Sequence, residues 1–164
     1  MPGIAVRPIV FGNWRRWDTL RILSARPEGG VYLLAHGNSG EAPCDAAAAP
    51  ESLPSEVVYI GITKNLNARP GGGSHAGVTL YHDKIDPTEA RLFVAVAPLF
   101  ETNCADYAVQ RIYAEHVEAL LIWKFTEQHG YPPVLHYGHK GHYPTEVSEI
   151  VARLRGKISG HAQS

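Results

Sequence analysis

The spacing of apolar residues changes along this 164-residue chain, and each change of period predicts an element. In "WRRWDTLRILS" (14–24), Trp14, Trp17, Leu20 and Leu23 recur at helical spacing. Arg15, Arg16 and Arg21 fall mostly on other faces, which predicts a short amphipathic helix over 13–25. Pro27 and the Gly29-Gly30 pair end it, and "GVYLLAH" (30–36) reads as a short, mostly apolar strand. "GNSGEAPCDAAAAPESLPSE" has no apolar period, so 37–55 is expected to be a long surface loop. "EVVYIGI" (56–62) is a second strand, and "ARLFVAVAPLF" (90–100) contains a third. Over 105–130 the period becomes helical without an internal Gly or Pro; Asn103 is a candidate N-cap, and Gly130 followed by Pro132 is a stop. A last helix is expected over 145–158. This order predicts one small α/β (α+β) domain over 1–164, with a short, largely antiparallel sheet and a core of about 27–137.

Composition narrows the class. A hydrophobic content of 45% and a charged content of 19% are those of a soluble globular chain. No apolar run approaches the roughly 20 residues that span a bilayer, so no membrane partner is expected. "MPGIAVRPIVFGNW" lacks a basic segment followed by an apolar one, and Cys44 and Cys104 lack metal-ligand spacing. Both features fit a cytoplasmic chain with reduced thiols. The net charge of −1 excludes a protein coated in basic charge to hold nucleic acid. Its distribution is uneven: +3 over 1–30, −6 in the middle and +2 over 136–164, so the basic ends can attract a polyanion locally.

Chemistry concentrates in three places. Glu118 lies on the long helix among Ala114, Leu121, Ile122 and Phe125, an apolar stripe where an unpaired carboxylate is costly. Arg111, another cation or a divalent metal is expected to compensate it. Tyr32 and Tyr59 stand at equivalent places in two neighbouring strands, where matched side chains lie about 5 Å apart. Lys64, Arg69 and His75 follow the second strand; a guanidinium suits a phosphate oxygen, and an imidazole transfers protons near neutral pH. His136, His139 and His142 in "HYGHKGHY" lack the partners of a structural zinc site. They read as a polar loop, with His136 a candidate phosphate contact beside Arg15 and Arg16.

"GVY" (30–32), "YIG" (59–61), Arg69 ten residues after the second tyrosine and a glutamate in a following long helix resemble the GIY-YIG nuclease family. "YIGITKNLNAR" is similar to the corresponding segment of bacterial excision-repair incision subunits, and the pattern resembles homing and restriction endonucleases too. The resemblance covers about 27–137. It implies a three-stranded antiparallel sheet flanked by helices and a DNA endonuclease using one divalent ion, Mg²⁺ or Mn²⁺. Glu118 would be the metal ligand, Tyr32 would sit by the attacking water, and Tyr59 would support the site and the phosphate. Arg69 would steady charge on the phosphoryl group, and His75, with His82 as rival, would assist water activation. The pattern also departs from the family. The tyrosines are 27 positions apart, Pro70 and three glycines follow Arg69, and His136 stands where an asparagine is frequent.

A second reading takes the same fold as an inactive module that grips nucleic acid or a protein partner. A third takes it as a hydrolase of small phosphodiesters. One site per chain also means that duplex cutting needs a homodimer, two successive nicks or a partner that supplies specificity.

Overall fold

The computed structural model describes residues 8–17, 29–37, 41–43, 47–63, 76–100, 107–136 and 149–155. Among these residues four antiparallel strands form one sheet in the order β1-β4-β2-β3. They are β1 (Arg15–Arg16), β2 (Gly30–His36), β3 (Val57–Thr63) and β4 (Leu92–Pro98). Helix α1 (Ala76–Lys84) precedes β4, and α2 (Tyr107–His129) follows it. Residues 149–155 are helical as well, and are called α3.

β2 reads as a nearly unbroken apolar run because it is the central strand, buried along its whole length. One face of the sheet carries Val31, Leu33, Ala35, Val57, Ile60, Ala95 and Ala97, and on it α2 buries Ala114, Val117, Leu121 and Phe125. The small side chains of β4 on this face leave room for the helix, and the steps of three and four residues keep its buried stripe in line. The other face carries Tyr32, Leu34, Leu92 and Val94, covered by Val78, Tyr81 and Ile85 around α1 and by Val151 of α3. Each large apolar side chain so buried contributes about 1.5–3 kcal/mol, which makes both layers integral to the fold.

β3 holds a bulge. Leu34 pairs with Tyr59 but Ala35 pairs with Val57, so Val58 is the extra residue. The long helix ends at Gly130, whose φ of +82° suits glycine, and the Gly130 amide donates to the Thr126 carbonyl at 2.8 Å. The C-terminal helix expected over 145–158 is described only over 149–155, where Arg155 donates to the carbonyls of Lys84 and Asp83. A cation there complements the negative end of α1.

Three expectations are revised. The N-terminal helix expected over 13–25 gives way to a strand at Arg15 and Arg16, which form β1 opposite Val94 and Phe93; among its described residues only Trp17 takes a helical, 3₁₀ conformation. The Gly12 amide donates to the Val96 carbonyl at 2.9 Å, and the segment closes an otherwise bare edge of β4. The extended pair Arg15–Arg16 between them sends Trp14 and Trp17 to opposite faces of the sheet, one into each core, where a continuous helix would bury both on one side. Among the described residues the sheet therefore has four strands, one more than the three expected. Finally, α1 answers to no predicted element.

The connection before β3 is packed rather than loose. Ala48 and Leu53 are buried in the α2-side core, and Ala49 bridges to Ser52. The Gln128 carboxamide accepts from the Leu53 amide at 2.8 Å and donates to the Pro50 carbonyl at 3.2 Å. His129 Nε2 donates to the Leu53 carbonyl at 2.7 Å, and Lys124 meets Glu51 at 3.1 Å. The end of α2 thereby straps residues 50–53 onto the domain.

Candidate functional site

The two tyrosines share the α1-side face, but not as directly opposed residues. Tyr32 pairs with Gly61 and Leu34 with Tyr59, so the rings meet on a diagonal, with centroids 6.3 Å apart and planes at 29°. Register explains the glycine of "YIG". A Cβ at Gly61 would land on the Tyr32 phenol and come within 2.9 Å of Tyr59 Cε1. Glycine at this position lets the Tyr32 ring, only 1% exposed, lie across β3.

Tyr59 is half-buried and held from three sides. Tyr32 lies on one of them. The first turn of α1 comes so near that a Cβ at Gly77 would sit 2.7 Å from Tyr59 Cδ1. On the remaining side the His136 ring stacks on Tyr59 with centroids 4.6 Å apart and planes at 1°. A short turn after α2 brings this histidine in: Val134 and Leu135 are buried, and the His136 amide donates to the Pro133 carbonyl at 3.0 Å. The outward-facing amide of Ile60 donates to His136 Nε2 at 3.0 Å. Tyr32, Tyr59 and His136 are thus brought together at the β3 edge.

The same face carries a second polar pair that the sequence reading passed over. His36 Nδ1 and Tyr81 Oη are 2.7 Å apart, both residues being buried. Burial pushes the Tyr81 phenol well above the ordinary tyrosine range, and the nearby Asp86 carboxylate adds to the rise. Asp86, 2% exposed, accepts from the Thr88 amide at 2.9 Å and from its hydroxyl at 2.6 Å. A signal for His36 was present: it ends "YLLAH" in phase with Tyr32 and Leu34, which puts it on their face.

Glu118 belongs to the other layer. It lies on α2 beside the buried Ala114, Leu121 and Phe125, and burial pushes its carboxyl above the usual range, with Glu115 adding to the rise. Arg111, the expected compensating cation, donates to Glu115 at 2.9 Å. Among the described residues Glu118 has no hydrogen bond or ion pair, and none joins it to the tyrosines across the sheet. Arg15 and Arg16 are exposed on β1, three strand spacings and on the order of 14 Å from β3, so they do not converge with His136. His82 is exposed on α1 and pairs with Asp83 at 2.9 Å. Lys64, Arg69 and His75 lie outside the described residues.

Among the described residues no cluster of three or more His, Cys, Asp or Glu side chains could by itself enclose a metal ion. Mg²⁺ does not need such a cage, because it keeps several waters and uses one or two carboxylates with a substrate phosphate. Glu118, its charge disfavoured and Glu115 one turn away, fits that smaller demand. No helix among the described residues is long and apolar enough to cross a membrane. The chain matches no protein-family model, no curated protein and no solved structure.

Proposed function

We propose that the chain is a divalent-metal-dependent endonuclease that hydrolyses DNA phosphodiester bonds in the manner of the GIY-YIG nucleases, in a cytoplasmic setting. The observation that carries this reading is the packing of the Tyr32 phenol over Gly61 and diagonally against Tyr59. That packing gives the "GVY" and "YIG" elements a common purpose in space.

On this reading Tyr32 is assigned to the attacking water, which its phenol, 1% exposed, meets only if the layer over it opens on substrate binding, and Tyr59, fixed in plane by its neighbours, supports the phosphate. Arg69 steadies charge on the phosphoryl oxygens through its planar fork of donors. Glu118 is the residue that would hold Mg²⁺ or Mn²⁺. Such an ion supplies Lewis-acid stabilisation of the phosphoryl oxygens. Plasmid, single-stranded and branched DNA, each incubated with and without Mg²⁺ or Mn²⁺, test the reading. Metal-dependent nicking by the wild type and none by a folded Glu118→Ala variant is expected. Full cleavage by that variant removes Glu118 from the site.

The second reading, a binding module without turnover, is favoured by two observations. Tyr32 is buried, and Glu118 lies on the layer opposite the tyrosines. Its signature is salt-dependent DNA binding with no cleavage on any substrate of the panel.

A further inference from the structure

His136 entered as a candidate phosphate contact, yet its ring is engaged twice inside the fold. A backbone amide can only donate, so the Ile60 amide at 3.0 Å requires a lone pair on His136 Nε2. The neutral ring then carries its proton on Nδ1. The same ring lies parallel to Tyr59 at 4.6 Å, while Gly77 crowds the phenol through the first turn of α1. The Ile60 amide points away from β2, on the outer edge of the sheet, where a strand would otherwise offer an unpaired donor. One side chain therefore occupies an edge donor of β3 and lies flat against the ring of Tyr59.

We propose that His136 is a positioning residue: as the Nδ1-protonated neutral tautomer it accepts from Ile60, and in that pose it fixes the Tyr59 ring. The clamp is a property of the fold, and its link to catalysis rests on the nuclease reading of Tyr59. It also separates into two parts. His136→Phe keeps a flat ring against Tyr59 and loses the acceptor. His136→Gln places an acceptor oxygen near the site of Nε2 and loses the aromatic stack.

Long-range ¹H–¹⁵N correlation on the intact wild-type protein reads the tautomer directly, and is expected to show Nε2 bare and Nδ1 protonated. Hydrogen exchange at the Ile60 amide should speed up by roughly tenfold in His136→Phe and stay close to wild type in His136→Gln. The ring-current shift on the Tyr59 protons should survive in His136→Phe and vanish in His136→Gln. In a cleavage assay both variants should lose kcat on the order of tenfold with KM little changed. The salt dependence of DNA binding should not move in either.

A protonated Nε2 in the wild type overturns the proposal. So does unchanged Ile60 exchange in His136→Phe, or a shallower salt slope, which marks a phosphate contact. If His136→Phe does not fold, the wild-type tautomer and His136→Gln decide. If the wild type cuts no DNA, the nuclease reading fails, and the clamp still stands or falls on the resonance and exchange data.

Discussion

Gly61→Ala is the sharpest test of how the two tyrosines are packed. The added methyl would fall on the Tyr32 phenol and within 2.9 Å of Tyr59 Cε1. Neither ring can step aside freely. Tyr32 is 1% exposed between β3 and the α1 layer, and Tyr59 is backed by Gly77 and His136. Overpacking a filled core costs about 1–3 kcal/mol. Replacing glycine also removes freedom from the unfolded chain, which returns about 0.4–1 kcal/mol where the backbone tolerates alanine. The difference spans about 0–2.6 kcal/mol, and because the methyl meets both rings the upper part, about 1–2.6 kcal/mol, is expected, lowering Tm by about 2–10 °C in a chain of 164 residues. Gly12→Ala is the control, because a Cβ there meets nothing closer than the Val96 carbonyl at 3.8 Å. Urea and thermal unfolding of both variants measure the difference. The reasoning is refuted if Gly61→Ala is within about 0.5 kcal/mol of wild type, or if Gly12→Ala is the more damaging change.

Tyr81→Phe removes the hydroxyl that meets His36 Nδ1 at 2.7 Å in the buried α1-side core, and should cost about 1–3 kcal/mol in urea unfolding. A loss indistinguishable from zero would mean that the pair is solvated in solution. Glu118→Gln should abolish cleavage without lowering stability at neutral pH. A carboxyl whose folded value is raised favours the fold fully below its unfolded value, and that contribution is lost as pH rises through the folded one, so the neutral amide is spared the loss. Its Tm advantage should therefore shrink as the pH falls into the ordinary carboxylate range. Mg²⁺ should raise the Tm of the wild type above that range and not that of Glu118→Gln. Gln128→Ala should release residues 50–53, with roughly tenfold faster exchange of the Leu53 amide and earlier proteolytic nicking there.

What could be read from the sequence follows what local pattern encodes. The strand 30–36 coincides with β2 because a central strand, buried on both faces, is a plain apolar run. The helix read over 105–130 matches Tyr107–His129, since neither Gly nor Pro interrupts it and Gly130 ends it. α1 and the turn just after it carry Val78, Tyr81 and Ile85 at steps of three and four, but Gly77, Thr79 and the glycine-rich approach obscured that signal. The two tryptophans near the N-terminus fitted a helix equally well until pairing with β4 sent them to opposite faces. The tyrosine register was beyond reach, because the long connection between β2 and β3 fixes no pairing and the bulge at Val58 leaves no mark in composition. Among the candidate site residues, the apolar surroundings of Glu118 were legible from spacing alone. Its side of the sheet was not, since the layer on which a helix packs is set by the whole topology.

The hydrogen bonds from α2 and His136 back to residues 50–60 join positions 75 to 78 apart in the chain. In a chain emerging from the ribosome at about 5–20 residues per second, several seconds pass between synthesis of residues 50–60 and arrival of the side chains that hold residues 50–53 and the edge amide of Ile60. During that interval the nascent strand offers free amides and carbonyls to any neighbouring extended segment. The yield of folded protein in cells should then depend on how quickly residues 124–136 follow, so that slow codons placed between β3 and the end of α2 would reduce it without altering a single amino acid.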